Sequence, residues 1–287
     1  MTETEGSQPR TLPVTDQSGI SGLALQESVP PPHWGRRVLR LWRVVAIVLI
    51  CVSGLPLMYL YSFLKATRLV SAGRIARLRA RGFSLWVSCI LPAIGVRVRT
   101  RGIVPTGPVL IAPNHQSYMD ILALVSRIPS VFLSNDGVRR WPVFGHLTAH
   151  LGTLYVDRSR KRMLKFVLPV IEEHLRGGVS VVVFLESTTT DGTGLLPFRS
   201  GFLEAAIETE TACLPVTIRY STPCDPWPTS ATVCWWGEMT FSPHLWRLLA
   251  LRRINVDMTI GSPVPTCRTM DRKALSETLR ARISGAL

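Results

Sequence analysis

The chain of 287 residues is long enough for one large domain, or for one domain with appendages. Apolar residues make up 46% of it and charged residues only 18%, a balance that favours a membrane-associated protein over a freely soluble one. The net charge of +14 is unevenly distributed. No Asp or Glu occurs from residue 29 to residue 119, although thirteen Lys and Arg residues lie between Arg36 and Arg101.

A basic block without acidic residues predicts an anionic partner. Nucleic-acid binding would require aromatic residues interleaved with the basic ones, or a recognisable reading helix, and the sequence shows neither. The block flanks a long apolar run, so we expect the partner to be a phospholipid bilayer and expect no nucleic acid.

The N-terminal region is predicted to contain a tail and a membrane segment. Residues 1–34 are polar, without periodicity, and predict a disordered tail rather than a signal peptide. Residues 44–64 follow without a single charge, and such a run can just cross a hydrocarbon layer of roughly 30 Å. Pro56 is expected to kink this helix, which leaves open whether it crosses the bilayer or enters and returns.

Two further stretches complete the predicted membrane anchor. Residues 65–81 carry six basic side chains among apolar ones, a pattern typical of an amphipathic helix at a membrane surface. Residues 83–96 are apolar but too short to span, and are expected to dip into the interface or to pack on the first helix. We therefore predict an anchor over residues 35–96 and a catalytic domain over 97–287.

From residue 97 onwards, short apolar strands alternate with helical patterns. This alternation predicts an α/β fold with a mostly parallel central sheet flanked by helices. The predicted strands are 109–112, 131–133, 152–156, 179–185, 213–219, 233–241 and 256–260. The predicted helices are 119–127, 141–150, 160–176, 200–209, 243–252 and 271–284.

The first candidate for chemistry is the run from Asn114 to Asp120, which follows a buried strand. A separation of five residues near a helix start can bring the Asp120 carboxylate back to the His115 imidazole, where it would fix the tautomer and stabilise the imidazolium. Ser117 lies too close in sequence to act as a nucleophile. A substrate hydroxyl would therefore be activated directly by His115, without a covalent enzyme intermediate.

Three other segments carry polar groups at strand ends. The first ends in Arg158, a guanidinium suited to a phosphate. In the second, a buried strand delivers Glu186 into a Ser/Thr-rich turn that can hold an anion or a polyol, with Arg199 downstream. In the third, a strand opens on Pro215. Taken singly, these segments are equally consistent with a solvated loop, a polar turn and an ordinary strand.

Together the four segments resemble the PlsC-like glycerolipid acyltransferases in order and spacing. The run from Asn114 to Asp120 matches the family's NHxxxxD motif, and Phe184-Leu185-Glu186-Ser187-Thr188 resembles its FPEGT motif. Gly152-Thr153 through Arg158 resembles the second motif, and Leu214-Pro215-Val216 resembles the fourth. The resemblance covers roughly residues 85–265.

The resemblance implies transfer of a fatty acyl chain from acyl-CoA or acyl-carrier protein to a lysolipid hydroxyl, with no metal or cofactor. It implies that His115 is the base and Asp120 its orienting partner, at the cytoplasmic face of the cell membrane. Arg158 would bind a phosphate on the acceptor, and Glu186 would help to position the acceptor. The other residues assigned to substrate binding are Asn114, Ser187, Thr188 and Arg199, and those assigned to motif support are Gly152, Thr153 and Pro215.

Two departures bear on the acceptor. Leu185 and Ser187 stand where the family motif has Pro and Gly, so the turn must accommodate a side chain. We expect a 1-acyl-sn-glycerol-3-phosphate O-acyltransferase that makes phosphatidic acid. The alternative is an enzyme for another lysolipid such as lyso-ornithine lipid, because residues 190–200 also resemble enzymes of that kind. A non-catalytic lipid-binding membrane protein is a more distant alternative.

Overall fold

The computed structural model of the protein describes residues 21–28, 34–67, 70–135, 154–156 and 163–287. Several of the sequence predictions fall outside these ranges. They are the disordered tail over residues 1–20, the helix over residues 141–150 and the site residues Gly152, Thr153 and Arg158.

One sheet of seven strands organises the described part of the chain. Its order is β1-β7-β6-β2-β5-β3-β4, and every neighbouring pair is parallel except β6 and β7. The mostly parallel sheet predicted from the sequence is thereby confirmed. The strands are β1 (Val96–Arg101), β2 (Leu110–Pro113), β3 (Ser130–Asn135), β4 (Leu154–Val156), β5 (Ser180–Val182), β6 (Cys213–Ser221) and β7 (Ile254–Ile260).

Helices cover both faces of this sheet because successive strand residues point to opposite sides. On β2, Ile111 belongs to one apolar cluster, whereas Leu110 and Ala112 belong to another. The helices are α1 (Gly22–Ser28), α2 (Trp34–Thr67), α3 (Ala72–Ala93), α4 (Met119–Arg127), α5 (Met163–Arg176), α6 (Glu204–Glu208), α7 (Thr229–Thr232), α8 (Phe241–Leu248) and α9 (Arg272–Ser284), with a 3₁₀ turn at Ser200–Leu203 before α6.

The strand predicted over residues 233–241 is wrong. The chain leaves α7 and runs irregularly until α8 begins at Phe241. Cys234 and Trp236 are buried, which accounts for the apolar pattern. The backbone N–H of Trp235 bonds to the Gln116 carbonyl at 2.8 Å instead of joining a ladder, so this segment packs on the first motif and not in the sheet.

The predicted strands also missed β1 at the sheet edge. Its sequence Val-Arg-Val-Arg-Thr-Arg alternates apolar and charged residues, and β1 pairs in parallel only with β7. Val96 is buried and Arg97 is exposed. Arginines on an exposed edge discourage further strand pairing. Because they interrupt the apolar residues, a search of the sequence for apolar runs does not find this strand.

Within the region predicted as an anchor, the two long helices have different surroundings. α2 is continuous through Pro56, and Gly35–Leu64 is long and apolar enough to cross a membrane by length and composition, with 12% of its most apolar window buried. α3 instead joins the predicted stretches 65–81 and 83–96 into one helix from residue 72, and Phe83 packs in the main core cluster. The region predicted as an anchor therefore packs against the α/β sheet rather than being held apart from it.

Three arginines of α2 dock this helix on the catalytic domain, and we call Arg36, Arg40 and Arg43 the arginine ladder. All three are buried. Arg36 pairs with Asp225, the Arg40 guanidinium lies 4.2 Å from the ring centroid of Trp246, and Arg43 donates to backbone carbonyls of residues 249, 251 and 252. The prediction that the whole basic block faces lipid is wrong for these three side chains, because their partners are protein groups.

The predicted disordered tail is wrong for the seven residues of α1. Gly22 lies against Trp236, where an added Cβ would approach the Trp236 carbonyl oxygen to 2.7 Å. Gln26 is buried on the same helix. A glycine at this close contact explains how a segment of low hydrophobicity packs on the domain.

Candidate active site

The His115 imidazole and the Asp120 carboxylate are in contact, as the spacing predicts. His115 follows the end of β2, and Asp120 is the second residue of α4. His115 Nδ1 lies 2.8 Å from Asp120 Oδ2, and the His115 side chain is 15% exposed whereas that of Asp120 is fully buried. A carboxylate that accepts from Nδ1–H leaves the Nε2 lone pair free to accept a proton.

Asp120 is held by donors on both carboxylate oxygens. Oδ2 accepts from the backbone N–H of Gln116 at 2.7 Å and of Ser117 at 2.9 Å. Oδ1 accepts from the Tyr220 hydroxyl at 2.6 Å. With the start of α4 adding a favourable dipole, these donors stabilise the charged carboxylate in a buried position. Ser117 is itself fully buried and serves this loop rather than acting as a nucleophile.

Tyr220, on β6, was not found by sequence reasoning because it lies 100 residues beyond Asp120 and outside every motif. We expect Tyr220→Phe to lower the free energy of unfolding by about 1.5–3 kcal/mol, since a hydrogen bond to a buried charged group is lost. We also expect kcat to fall about tenfold with the KM for the acceptor unchanged, because the orientation of Asp120 becomes looser. Chemical denaturation and steady-state kinetics measure the two effects.

A matched control for that variant is Tyr118→Phe. The Tyr118 hydroxyl is bonded to a neutral partner, His244, at 3.0 Å, so its loss should lower stability by only about 1 kcal/mol. Equal losses of stability in the two variants would contradict the assignment of Tyr220 as a donor to a charged carboxylate.

The third motif packs directly on the first. The ring of Phe184 stacks on that of His115 with centroids 3.7 Å apart and an interplanar angle of 20°. Glu186 Oε1 accepts from the His115 backbone N–H at 2.8 Å, and the backbone N–H of Thr190 donates to the His115 carbonyl at 2.9 Å. The stacked ring and the backbone bonds together limit the orientations open to His115.

Glu186 is a buried carboxyl group that braces two loops. Its second oxygen accepts from the Leu196 backbone N–H at 2.7 Å. Burial raises the pKa of Glu186 to about 7, against the opposing effect of the N–H groups of Leu196 and His115 and of the nearby Arg280 on α9. Arg280 carries no motif signal and was missed from the sequence.

We expect Glu186→Gln to lower the free energy of unfolding by about 1–3 kcal/mol, because an amide nitrogen would face one of the two backbone N–H donors. In the native wild type Glu186 binds its proton up to about pH 7, whereas in the unfolded chain it releases it near 4.5. Wild-type stability therefore falls as pH rises between these values, and the variant lacks this dependence.

The measurement is chemical denaturation of both proteins at several pH values from 5 to 7. The stability difference between wild type and variant should narrow as the pH rises. Glu173→Gln, at an exposed position of α5, is the control and should leave the pH dependence of stability unchanged. A difference that widens with pH would contradict a raised pKa for Glu186.

The other predicted site residues have different surroundings. Asn114 is buried and exchanges hydrogen bonds with the backbone of Ile218, so its amide joins β2 to β6 where a substrate contact was predicted. Pro215 is buried in β6 beside β2, at the point where regular pairing with β7 ends. Thr188 and Arg199 are exposed to solvent on the segment that follows Glu186.

Ser187 adopts the conformation that the sequence comparison anticipated for a glycine. Its φ is +62°, in the left-handed region, and its N–H closes a turn to the Phe184 carbonyl at 3.0 Å. A side chain at such a backbone angle is uncommon and strained. The turn therefore keeps a glycine-like backbone and adds a hydroxyl beside Glu186.

A second buried histidine supports the first motif from behind. His244 on α8 accepts from the Tyr118 hydroxyl and donates from Nε2 to the Cys234 carbonyl at 3.0 Å. Burial lowers the pKa of His244 to about 4, so this imidazole is neutral. The fixed tautomer of His244 in this closed network agrees with a structural role. Among the described residues, no group of three or more His, Cys, Asp or Glu side chains is placed to hold a metal ion.

The chain resembles known proteins in sequence and in fold. Residues 95–219 match the family model described as Acyltransferase. The chain is 32% identical to a lyso-ornithine lipid O-acyltransferase of Brucella abortus, over 85% of this chain and 92% of that protein. It is 26% identical to a 1-acyl-sn-glycerol-3-phosphate acyltransferase of Neisseria meningitidis, over 68% of this chain and 76% of that protein.

The fold also matches a solved structure, the 1-acyl-sn-glycerophosphate acyltransferase PlsC of Thermotoga maritima. The TM-score is 0.64 at 19% identity, covering 88% of this chain and 94% of that chain. A shared fold at this identity does not identify the acceptor substrate of this chain. The sequence relationships nevertheless show that the chain belongs to the acyltransferase family and is an enzyme that transfers acyl groups to acceptors of the lysolipid or glycerolipid type.

Proposed function

We propose that His115 is the general base of an O-acyl transfer from a thioester to a lysolipid hydroxyl. His115 Nε2 takes the hydroxyl proton while the acceptor oxygen attacks the thioester carbonyl carbon. The tetrahedral intermediate collapses with cleavage of the carbon–sulfur bond, and the imidazolium returns the proton to the departing thiolate. The products are an ester and a free thiol, so no covalent enzyme intermediate is needed.

The observation that carries this proposal is the buried Asp120 carboxylate on Nδ1 of a partly exposed His115. The carboxylate would stabilise the imidazolium that forms during attack, and three further donors hold the carboxylate in place. The thioester donor is acyl-CoA or acyl-carrier protein. The enzyme acts at the cytoplasmic face of the cell membrane, where α2 supplies the attachment.

For the acceptor, the leading candidate is lyso-ornithine lipid. The identity with the lyso-ornithine lipid enzyme is 32% over 85% of this chain. The identity with the glycerol-phosphate enzyme is lower and covers less of the chain, 26% over 68%. The third motif also departs from the glycerol-phosphate pattern at Leu185 and Ser187. This order reverses the expectation formed from the sequence alone, which placed 1-acyl-sn-glycerol 3-phosphate first.

The second candidate acceptor remains 1-acyl-sn-glycerol 3-phosphate. It is favoured by the presence of all four motifs in order and by Arg158, a cation suited to a phosphate. Both acceptors present a hydroxyl to the same base, so the reaction is common to the two candidates and only the headgroup contacts differ.

A panel of acceptors separates the candidates. Full-length enzyme in neutral detergent receives labelled acyl-CoA or acyl-carrier protein with either lyso-ornithine lipid or 1-acyl-sn-glycerol 3-phosphate. We expect kcat/KM to be at least about tenfold higher with lyso-ornithine lipid, the difference that one or two headgroup contacts provide. Higher kcat/KM with the glycerol phosphate would overturn the preferred acceptor and would leave the proposed base untouched.

Arg158 gives a second, independent test of the headgroup. We expect Arg158→Ala to raise the KM for a phosphate-bearing acceptor far more than for a phosphate-free one, because a guanidinium pairs with phosphate through charge and two N–H groups. Equal effects on both acceptors would remove the phosphate-binding role. Arg268→Ala, at an exposed arginine outside the four motifs, serves as the control.

A further inference from the structure

We propose that a cavity between the end of α3 and the start of β1 binds the phosphate-bearing headgroup of an anionic lipid, at a site separate from His115. The cavity has a volume of about 510 Å³. Neither His115, Asp120 nor Glu186 borders it. It is lined by Ser88, Leu91, Pro92, Gly95, Val96, Arg97, Val98, Ser126, Arg127, Arg252 and Arg253.

The charge of this lining is entirely positive. Four of its residues are arginines, Arg97, Arg127, Arg252 and Arg253, and none is acidic. A phosphate brings together a negative charge and several acceptor oxygens, which match the planar N–H fork of a guanidinium. A cavity bordered by four such groups without a carboxylate therefore selects a phosphate over a neutral or cationic ligand.

Two of the four guanidinium groups are held in place by the protein. Arg127 Nη2 donates to the Val98 carbonyl at 2.7 Å, and Arg253 Nη2 donates to Cys224 Sγ at 3.5 Å. Each such bond uses only one of the five N–H donors of a guanidinium. Arg97 and Arg252 are exposed at the rim.

Compensation of helix dipoles does not account for the cluster. Basic residues are favourable in the last turn of a helix, and Arg127 stands in the last turn of α4. Arg97 belongs to β1, however, and Arg252 and Arg253 lie on the loop before β7. Three of the four arginines therefore converge from outside any helix end.

The position of the cavity favours a lipid as the source of the phosphate. Arg43 of α2 donates to the Arg252 carbonyl and lies against Gly95, so α2 contacts two of the residues that line the cavity. The charge-free run of α2 begins at the next residue, and its outer face carries exposed apolar side chains such as Val45 and Leu49. A headgroup in the cavity would leave its acyl chains beside this apolar face.

The cavity is also larger and more apolar than a free phosphate requires. Leu91, Pro92, Val96 and Val98 contribute apolar surface beside the arginines. A glycerol or a similar headgroup attached to the phosphate can occupy this space. The expected ligand is therefore a phospholipid with a net negative charge, such as phosphatidylglycerol, bound by its headgroup.

The test uses the full chain in an uncharged detergent, titrated either with mixed micelles containing phosphatidylglycerol or with inorganic phosphate. The thermal unfolding midpoint reports binding, because a ligand of the native state raises it. The cavity pair is Arg97→Ala with Arg252→Ala. The control pair, Arg101→Ala with Arg268→Ala, removes two equally exposed arginines away from the cavity. Wild-type activity with the preferred acceptor is recorded separately, since the cavity claim does not depend on the acceptor.

We expect phosphatidylglycerol to raise the midpoint of the wild type and of the control pair, and the cavity pair to weaken this binding about tenfold or more, the effect of two lost contacts to a membrane anion. If phosphatidylglycerol binding were weakened equally in the cavity pair and the control pair, the effect would come from the overall positive charge, and the proposed site would be overturned. If inorganic phosphate raised the unfolding midpoint and phosphatidylglycerol did not, the lipid assignment would be overturned. If the Ala pair unfolds without ligand, Arg97→Gln with Arg252→Gln replaces it under the same criteria.

Discussion

Replacing His115 by Ala is expected to lower kcat by about 10³-fold, within the range that a positioned general base contributes. The acceptor hydroxyl then has no group to take its proton as it attacks the thioester carbonyl. The side chain is 15% exposed and contacts Asp120 and Phe184 at the edge of the core, so its removal should leave the fold intact. Steady-state release of free thiol from the acyl donor measures the effect.

His174→Ala is the matched control for this variant. His174 is a partly exposed histidine of α5 whose Nδ1 hydrogen-bonds to the Val170 carbonyl of its own helix at 2.8 Å. It should retain wild-type activity. Unchanged activity in His115→Ala would refute the assigned base.

Asp120→Asn should lower kcat by about 10²-fold or more while leaving most of the fold in place. The amide can direct its oxygen to the backbone N–H groups of Gln116 and Ser117, and its NH₂ to the Tyr220 hydroxyl, which can accept a hydrogen bond. The hydrogen bond to His115 is then retained, but the negative charge is lost. An imidazolium forming during attack is left without its counter-charge.

The variant therefore separates charge from geometry. The KM for the acceptor should stay near that of wild type, because Asp120 is fully buried and does not reach the acceptor. Asp271→Asn is the control, since Asp271 caps α9 through the Lys273 N–H and Asn caps a helix equally well. If Asp120→Asn were largely unfolded under the assay conditions, so that unfolding accounted for the loss of kcat, the carboxylate would have a structural role instead.

Local sequence patterns predicted much of the fold because most strands are apolar runs buried on both faces. The run around Val181 is one, and it forms β5 in the interior of the sheet between β2 and β3. β1 was not predicted, because its arginines alternate with valines at the edge of the sheet. The segment around Trp236 failed for the opposite reason, since apolar residues can be buried by an irregular loop as well as by a strand.

The candidate site was predictable to the extent that it is local in sequence. His115 and Asp120 are five residues apart, so their contact followed from the start of one helix. Tyr220 and Arg280 reach the same place from a distant strand and a distant helix, and only the packed sheet brings them together. Long-range partners of this kind carry no signature in a single sequence.

The arginine ladder determines how the catalytic domain is presented to its substrates. Because Arg36 and Arg43 join α2 to the loop after β6 and to the loop after α8, rotation or tilting of that helix would carry the sheet with it. With α2 inserted in a bilayer as proposed, His115 would therefore keep a constant height and angle relative to the lipid surface. The enzyme can search for acceptors by lateral diffusion in two dimensions, without a separate reorientation before each encounter.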